Sequence, residues 1–333
     1  MLSSNAKESA VHSTRLNSED LLLSVVVPTF KRPERLRSLL RAVTAQVGDV
    51  AYEVIVVDDG GGGIQDVVAE FRERLPLVVL TQTNSGPGRA RNLGAGEARG
   101  TRLVFIDDDC VPEPDWLEQI STAHREAPDA AIGGTTVNLL TENPFSSASQ
   151  ILVDFLYLYF QREEGRNDSF LTTNNASVPR DGFWRSGGFD VGFERAAGED
   201  REFFDRWRFQ GREIVFRPAI VIGHSHWMEL WSFAVQHFRY GEAARRFWLL
   251  KWDREGRRKQ PKTRFFRELL LYPLRRHGFG SQAVVLSLLL VLSQISNAAG
   301  YLWARLKEPK GFSVEVALET LTPGSGSRPS EDN

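Results

Sequence analysis

The most constraining feature of this chain is an alternation of short apolar segments with segments of helical periodicity, the last of which runs straight into three consecutive aspartates. Leu23 to Pro28, Tyr52 to Val57, Leu77 to Leu80 and Arg102 to Ile106 have the length and β-branched content of buried strands. Between them, Glu34 to Val47 places Leu36, Leu39, Leu40 and Val43 at helical spacing, and Val67 to Leu75 and Ala90 to Ala98 also read as helices. Strands alternating with helices demand right-handed crossovers, which predicts an α/β fold with a mostly parallel central sheet flanked by helices. Ligands of such sheets bind at the carboxyl ends of the strands. Thr29, Asp59, Asp107, Asp108 and Asp109 all fall there.

Three adjacent carboxylates repel one another unless a divalent cation, or a polyphosphate with its cation, shares the place. The triplet therefore proposes an oxygen-ligand metal site, with a solvated acidic turn as the alternative. The chain of 333 residues is 41% hydrophobic, enough for a sizeable core, and its net charge of −2 gives no whole-surface attraction to nucleic acid. A single cysteine, Cys110, excludes an internal disulfide framework and reads as a small packing residue.

Charge is instead concentrated locally. From Arg239 to Arg276 there are thirteen Lys or Arg against four acidic residues, interleaved with Trp, Phe, Tyr and Leu. Gly278 to Ala304 then carries no charged residue, and as a helix Ala283 to Ala304 extends about 33 Å, close to a bilayer core. The pairing of a basic aromatic stretch with an apolar one is expected at a membrane surface, with spanning, dipping and docking left open. Residues 1–20 form a polar leader without a secretory signal, so the chain is expected at the cytoplasmic face of the membrane. Residues 311–333, rich in Ser, Gly and Pro toward the end, are expected to form a disordered tail.

In the second half, Ala131 to Asn138 reads as a strand and Ser149 to Gln161 as a helix, followed by an Asn-rich segment from Thr172 to Pro179. Glu199 to Phe209 carries Phe203, Phe204 and Trp207 on one helical face, which puts Glu199 and Asp200 in the first turn. Ile214 to Ile222 reads as a strand broken at Pro218, leading to Gly223-His224-Ser225-His226.

Taken in order, the motifs are Val-Val-Pro-Thr-Phe-Lys-Arg at 26–32, Val-Asp-Asp-Gly at 57–60, Gly-Pro-Gly-Arg-Ala-Arg-Asn at 86–92, Asp-Asp-Asp at 107–109, Gly-Glu-Asp at 198–200, and the late His-Ser-His. This succession resembles family 2 glycosyltransferases, inverting enzymes of the GT-A (nucleotide-diphospho-sugar transferase) fold, over roughly residues 22–230. The resemblance implies a GT-A domain over 21–230 and a helical, membrane-associated extension over 231–310. It implies a nucleotide-diphospho-sugar donor, UDP- or dTDP-linked by preference, a saccharide or lipid-linked acceptor, and Mg²⁺ or Mn²⁺ as cofactor.

Residue by residue, the resemblance places Thr29 and Asp59 against the nucleobase, with Arg32 in the same donor-binding set, and Asp107 at the ribose or the cation. Asp108 contacts ribose or turns inward, since neighbouring strand residues alternate faces. Asp109 is the expected metal ligand, with His224 completing the shell or meeting diphosphate oxygens, and His226 a second candidate. Arg91 is expected at the phosphates, where guanidinium makes bidentate contacts. Asp200 is the expected general base and Glu199 its neighbour, an acceptor contact or the alternative base. Asn175 and Trp184 are expected at the acceptor. The chain lacks a Gln-x-x-Arg-Trp motif and several membrane helices, which points to single transfers in cell-surface polysaccharide or glycolipid synthesis. The alternative is a non-catalytic nucleotide-sugar-binding or scaffold protein of the same fold.

Overall fold

The computed structural model describes residues 23–162, 170–193, 197–256 and 263–307. The leader expected over 1–20 and the tail expected over 311–333 lie outside them. In chain order the elements are β1 (Leu23–Thr29), α1 (Pro33–Thr44), β2 (Tyr52–Asp58), α2 (Gln65–Phe71), β3 (Leu77–Thr81), α3 (Pro87–Glu97), β4 (Arg102–Phe105), β5 (Cys110–Pro112), α4 (Trp116–Glu126), β6 (Ala131–Asn138) and α5 (Pro144–Arg162). They continue with β7 (Ala176–Pro179), α6 (Arg180–Arg185), α7 (Glu199–Phe209), β8 (Ile214–His224), α8 (Leu230–Glu255), α9 (Thr263–His277) and α10 (Ser281–Lys307).

The strands form one sheet in the order β3-β2-β1-β4-β7-β6-β8-β5. The first four are parallel, as the βα alternation requires, and β1 and β2 are almost wholly buried, which is why they read as unbroken apolar runs. Beyond β4 the sheet is mixed: β7 runs antiparallel to both neighbours, β8 runs parallel to β6, and β5 runs antiparallel to β8. The register of β6 against β8 slips so that Gly134 faces Arg217 and Thr135 faces Val221. The slip brackets Pro218, whose missing N–H cannot join a ladder.

Two apolar layers sandwich the sheet. One joins Leu36, Leu39, Leu40 and Val43 of α1 to Val25, Val27, Val54 and Val56, together with Trp116 and Ile120 of α4. The other joins Ala90 and Ala95 of α3 to Val26, Ile55 and Val57, and carries an aromatic cluster of Phe105, Phe183, Phe189, Phe203 and Trp207. This cluster seats α7 and hence its first turn.

The helical extension packs onto α5. Ala148, Ile151 and Phe155 share a core with Phe233 of α8, Leu269 of α9 and Leu286 and Leu290 of α10. The helices α8 and α10 approach so closely that a Cβ on Gly241 would lie 1.9 Å from the Asn297 carbonyl oxygen, and one on Gly300 would lie 1.9 Å from that of Phe238. Only glycine permits that crossing. Helix α10 is long and apolar enough to cross a membrane, with a mean hydropathy of 1.8 over its most apolar window, of which 28% is buried. Its outer side exposes Val284, Val285, Leu288, Val291, Ile295 and Leu302, continuous in character with exposed Phe266, Leu271 and Phe279.

Candidate active site

The site is organised by a backbone link between distant segments. Cys110 pairs with His224 across β5 and β8, and the Ser225 amide donates to the Asp109 carbonyl at 2.8 Å. This brings the late His-Ser-His beside the aspartate triplet. His224 Nε2 lies 3.3 Å from Asp109 Oδ1 and His226 Nδ1 lies 3.4 Å from Asp109 Oδ2, with the two rings stacked at 5.5 Å. Asp109 also accepts from Arg35 at 2.8 Å and Arg32 at 3.5 Å. Burial alone would raise its pKa, but the hydrogen bonds and charges of both histidines outweigh it and hold the carboxyl far below its usual range. Burial likewise opposes charge on His224, and its contact with Asp109 raises its pKa on balance.

A buried carboxylate with two convergent imidazoles suits a divalent cation such as Mn²⁺, and the site therefore fits the metal that the sequence implies. Asp109, His224 and His226 would hold it. The tightest grouping of ligand atoms among the described residues is Asp109, His224 and the Cys110 sulfur, all within 4.8 Å of one another, with His226 joining only through Asp109. Burial pushes that thiol well above its ordinary pKa, so it stays protonated and is a poor ligand for a hard cation.

Asp108 turns inward, accepting from Thr29 Oγ1 at 2.8 Å and from Arg32 at 3.3 Å. Its burial pushes it up to about 6. Thr29 is thus a buried buttress for Asp108, and its hydroxyl is not turned toward a base. Asp59 is also employed structurally: its oxygens accept from Gln82 Nε2 at 2.6 Å, the Ser85 amide at 2.8 Å and the Gly86 amide at 2.9 Å. It anchors the N-terminus of α3, where a carboxylate complements the helix dipole.

A second acidic centre lies on α7. Gly198, in the left-handed region at φ 86°, turns the chain into that helix, and Glu199 and Asp200 occupy its first turn. Arg91, wholly buried, bridges this centre to the triplet by donating to Glu199 Oε1 at 2.8 Å and Asp107 Oδ1 at 2.6 Å. The guanidinium expected at the phosphates pairs here with two carboxylates, while its Nε is left without a hydrogen-bond partner. Burial first, then the neighbouring Asp200, push Glu199 up, while burial is the main cause that raises Asp200. Asp107 is the accessible member of the triplet, its side chain 33% exposed.

Two expected residues are not brought to the cluster. Asn175 is buried, accepting from Trp116 Nε1 at 2.9 Å and donating to the Thr135 and Ile220 carbonyls at 3.0 Å each, so it ties α4, β6 and β8 together. All its polar capacity is spent inside the fold. Trp184 lies on α6, which begins where β7 pairs with Arg102, at the opposite end of β4 from the aspartates. Conversely, three groups escape sequence reasoning. Arg35 follows Arg32 at a spacing of three, a visible signal. Gln236 and Tyr240 on α8 join the cluster through His226, and nothing in the sequence marks them.

Comparison with known proteins accords with this geometry. The description Glycosyl transferase family 2 matches residues 24–187. Validoxylamine A glucosyltransferase of Streptomyces hygroscopicus subsp. jinggangensis (strain 5008) is 28% identical over 262 residues, covering 70% of this chain and 60% of that protein. Among solved structures, the mannosyltransferase PcManGT from Pyrobaculum calidifontis, in complex with GDP-Man and Mn²⁺, superposes with a TM-score of 0.55 at 18% identity, over 91% of this chain and 80% of that one. S. aureus TarS 1-349 in complex with UDP-GlcNAc gives 0.54 at 16% identity, over 84% and 89%. The fold is that of the GT-A glycosyltransferases. Residues 24–187 are thus a glycosyl transferase family 2 region. It spans about 60% of the length of the Streptomyces relative.

Proposed function

We propose that this chain is a metal-dependent, inverting glycosyltransferase that moves a sugar from a nucleotide-diphospho-sugar to an acceptor hydroxyl. The observation that carries the reading is the coexistence, at one sheet edge, of a carboxylate held ionised beside two imidazoles and a carboxylate pair whose affinity for protons is raised. Asp109, His224 and His226 would hold a divalent cation, which would supply charge neutralisation for the departing diphosphate. Asp107, part-exposed beside Arg91, is the triplet member open to a donor, and the partly exposed guanidinium groups of Arg32 and Arg35 lie at the same triplet.

Asp200 takes the proton of the acceptor hydroxyl as its oxygen forms the new bond to the anomeric carbon, and the bond from that carbon to the diphosphate oxygen breaks with its electron pair leaving on the nucleotide. One base and one displacement invert the configuration. Glu199, already paired with Arg91, holds the Asp200 turn and is the less available base. UDP- or dTDP-sugars are the donors to try first, and the GDP-Man and UDP-GlcNAc bound by the solved relatives widen the panel.

The acceptor is a saccharide or a lipid-linked saccharide, and transfer occurs at the cytoplasmic face of the cell membrane in cell-surface polysaccharide or glycolipid synthesis. The exposed apolar side of α10 supports that placement, with Arg275, Arg276, Arg305 and Lys307 at the helix ends to meet anionic headgroups. The glycine crossing and a buried Ser293–His237 hydrogen bond of 3.1 Å, which hold α10 to α8, support docking on the bilayer over spanning it. Calorimetric titration with UDP-, dTDP- and GDP-sugars, with Mn²⁺ and then with EDTA, tests the donor. Metal-dependent binding of one donor is expected, and a folded protein that binds none overturns the reading.

A further inference from the structure

Three of the five side chains that follow His226 are large, apolar and exposed: Trp227 at 61%, Leu230 at 58% and Trp231 at 80%. Such residues are ordinary when scattered singly, but gathered on one short stretch they mark a contact surface. The backbone beneath them is fixed. Ser146 Oγ donates to the His226 carbonyl at 2.5 Å and Asn143 Nδ2 to the Met228 carbonyl at 2.8 Å, so both neighbours of Trp227 are fastened to the start of α5. Met228 is buried in the core that α5 shares with α8, while the indole of Trp227 stays outside it. Glu229 and Ser232 close a capping box at the first turn of α8, the turn that carries Leu230 and Trp231. An ordered backbone thus presents both indoles, which lowers the ordering cost to a ligand.

This surface borders the Asp109 cluster at two points. Trp227 is the next residue after His226, whose Nδ1 is 3.4 Å from Asp109. Just past β6, the Leu139 amide donates to the His224 carbonyl at 3.0 Å, and the Leu139 side chain covers Gly223, where a Cβ would lie 2.7 Å from it. Leu139 is itself half-exposed. Charge then decides between a saccharide and a bilayer as the occupant. From Pro218 to Phe238 and from Ala131 to Pro144 the chain carries no Lys or Arg, and its charged residues there are Glu229 and Glu142. An anionic headgroup finds no cation in these segments, in contrast to the ends of α9 and α10 with Arg275, Arg276, Arg305 and Lys307. A pyranose ring suits the surface better: one face presents C–H groups to the electron-rich face of an indole, while its hydroxyls remain at the edge for polar neighbours.

We propose that Trp227 and Trp231, with Leu230 and Leu139 beside them, are the platform on which a pyranose ring of the saccharide acceptor lies, stacked by its face. The inference rests on the glycosyltransferase reading above and gives its acceptor the aromatic partner that Trp184, at the opposite end of β4 from the aspartates, does not supply. A ring held beside His226 and His224 keeps an acceptor hydroxyl near the donor's anomeric carbon, which stands next to the diphosphate.

The test compares the wild-type chain with Trp227→Ala, Trp231→Ala, Trp227→Leu, Trp227→Phe and Phe279→Ser, each checked for folding by circular dichroism. Glycan binding is measured on an array of immobilised pyranose oligosaccharides, donor binding by calorimetry with nucleotide sugars, and membrane binding by sedimentation with vesicles of phosphatidylcholine and phosphatidylglycerol. The wild type should bind glycans on the array, and each alanine variant should weaken that binding about tenfold with donor and vesicle binding unchanged. Trp227→Phe, which keeps a flat face, should stay within about threefold of the wild type, whereas Trp227→Leu, apolar but not flat, should lose as much as alanine. Phe279→Ser, at the exposed turn between α9 and α10, should weaken vesicle binding and leave glycan binding as it was. A wild type that binds a donor but no glycan, glycan binding indifferent to both alanine variants, or a Leu variant as good as the Phe variant overturns the platform alone. Vesicle binding lost in the alanine variants assigns the surface to the bilayer and overturns it too. Absence of donor binding in the folded wild type overturns the glycosyltransferase reading beneath it.

Discussion

Two acidic centres share one edge of the sheet, and their surroundings drive them in opposite directions. Asp109, at the end of β4, meets two imidazoles and two guanidinium groups and stays ionised. Glu199, buried and paired with Arg91, adjoins part-buried Asp200 in the first turn of α7, and their affinity for protons rises. Carboxylates acquire distinct chemistry from burial and partners: one centre stays charged, the other takes up protons more readily.

The comparison breaks most sharply at the base. Asp200→Asn is expected to lower kcat by about 10²- to 10⁴-fold, the usual contribution of a positioned base, whereas Glu199→Gln should cost less because Arg91 already occupies its carboxylate. Steady-state turnover on the best donor checks both, and equal losses would move the base role to the pair as a unit.

Arg91→Met removes the cation that Asp107 and Glu199 share and leaves buried charge without a partner. Unfolding by urea should show a loss of about 3–5 kcal/mol, as expected when one member of a buried ionic set is removed. A loss below 1 kcal/mol would show that the two centres do not depend on this bridge.

Acid sharpens the contrast by adding a third kind of site. Burial lowers His124 to about 3 and His237 to about 4, so both stay neutral in the folded chain while the unfolded chain protonates them near 6.5. Their contribution is complete above pH 6.5 and is lost as pH falls toward the folded values, at about 2 kcal/mol each by pH 5. The raised carboxylates of α7 act in the opposite sense, taking protons earlier in the folded state. His237→Gln should therefore flatten the fall in stability between pH 6.5 and 5 by one histidine's share, and an unchanged slope would contradict its buried neutral state.

The smallest effect belongs to the seam that joins α7 to α8. Asp205 pairs with Lys251 and with Arg254 at 2.8 Å, and Glu202 pairs with Arg254 at 2.5 Å. Lys251→Met leaves Asp205 a partner, so a loss of about 1 kcal/mol is expected in thermal unfolding, with kcat unchanged.

How much of this was legible in the sequence follows from the range of the forces involved. The parallel half was readable because each strand is buried on both faces and each helix shows its own periodicity, signals contained within a dozen residues. The strand Ala131–Asn138 and the helix Glu199–Phe209 fell where expected. The short strands β5 and β7 were not predicted, since three or four residues carry no period and their place depends on partners such as His224 and Phe105. Asp109, His224 and the acid pair stand out in the sequence because their residue types announce their chemistry, and the structure sets His224 beside Asp109 and Glu199 beside Arg91. Asn175, Thr29, Asp59 and Arg91 are expected at ligands, and the structure gives their side chains partners within the fold, a choice made by tertiary burial that spacing alone does not encode. Gln236 and Tyr240 escaped for the converse reason: on a long helix of mixed composition, only contact with His226 distinguishes them.

The most direct test of the division between the two centres is calorimetric binding of the chosen donor, with Mn²⁺ and with EDTA, to Asp109→Ala and Asp200→Asn, each followed by single-turnover transfer. The account predicts that Asp109→Ala loses the metal-dependent part of donor binding, while Asp200→Asn binds donor and metal as the wild type does and fails to transfer the sugar. Metal-dependent binding that survives in Asp109→Ala, or transfer at the wild-type rate in Asp200→Asn, would contradict it.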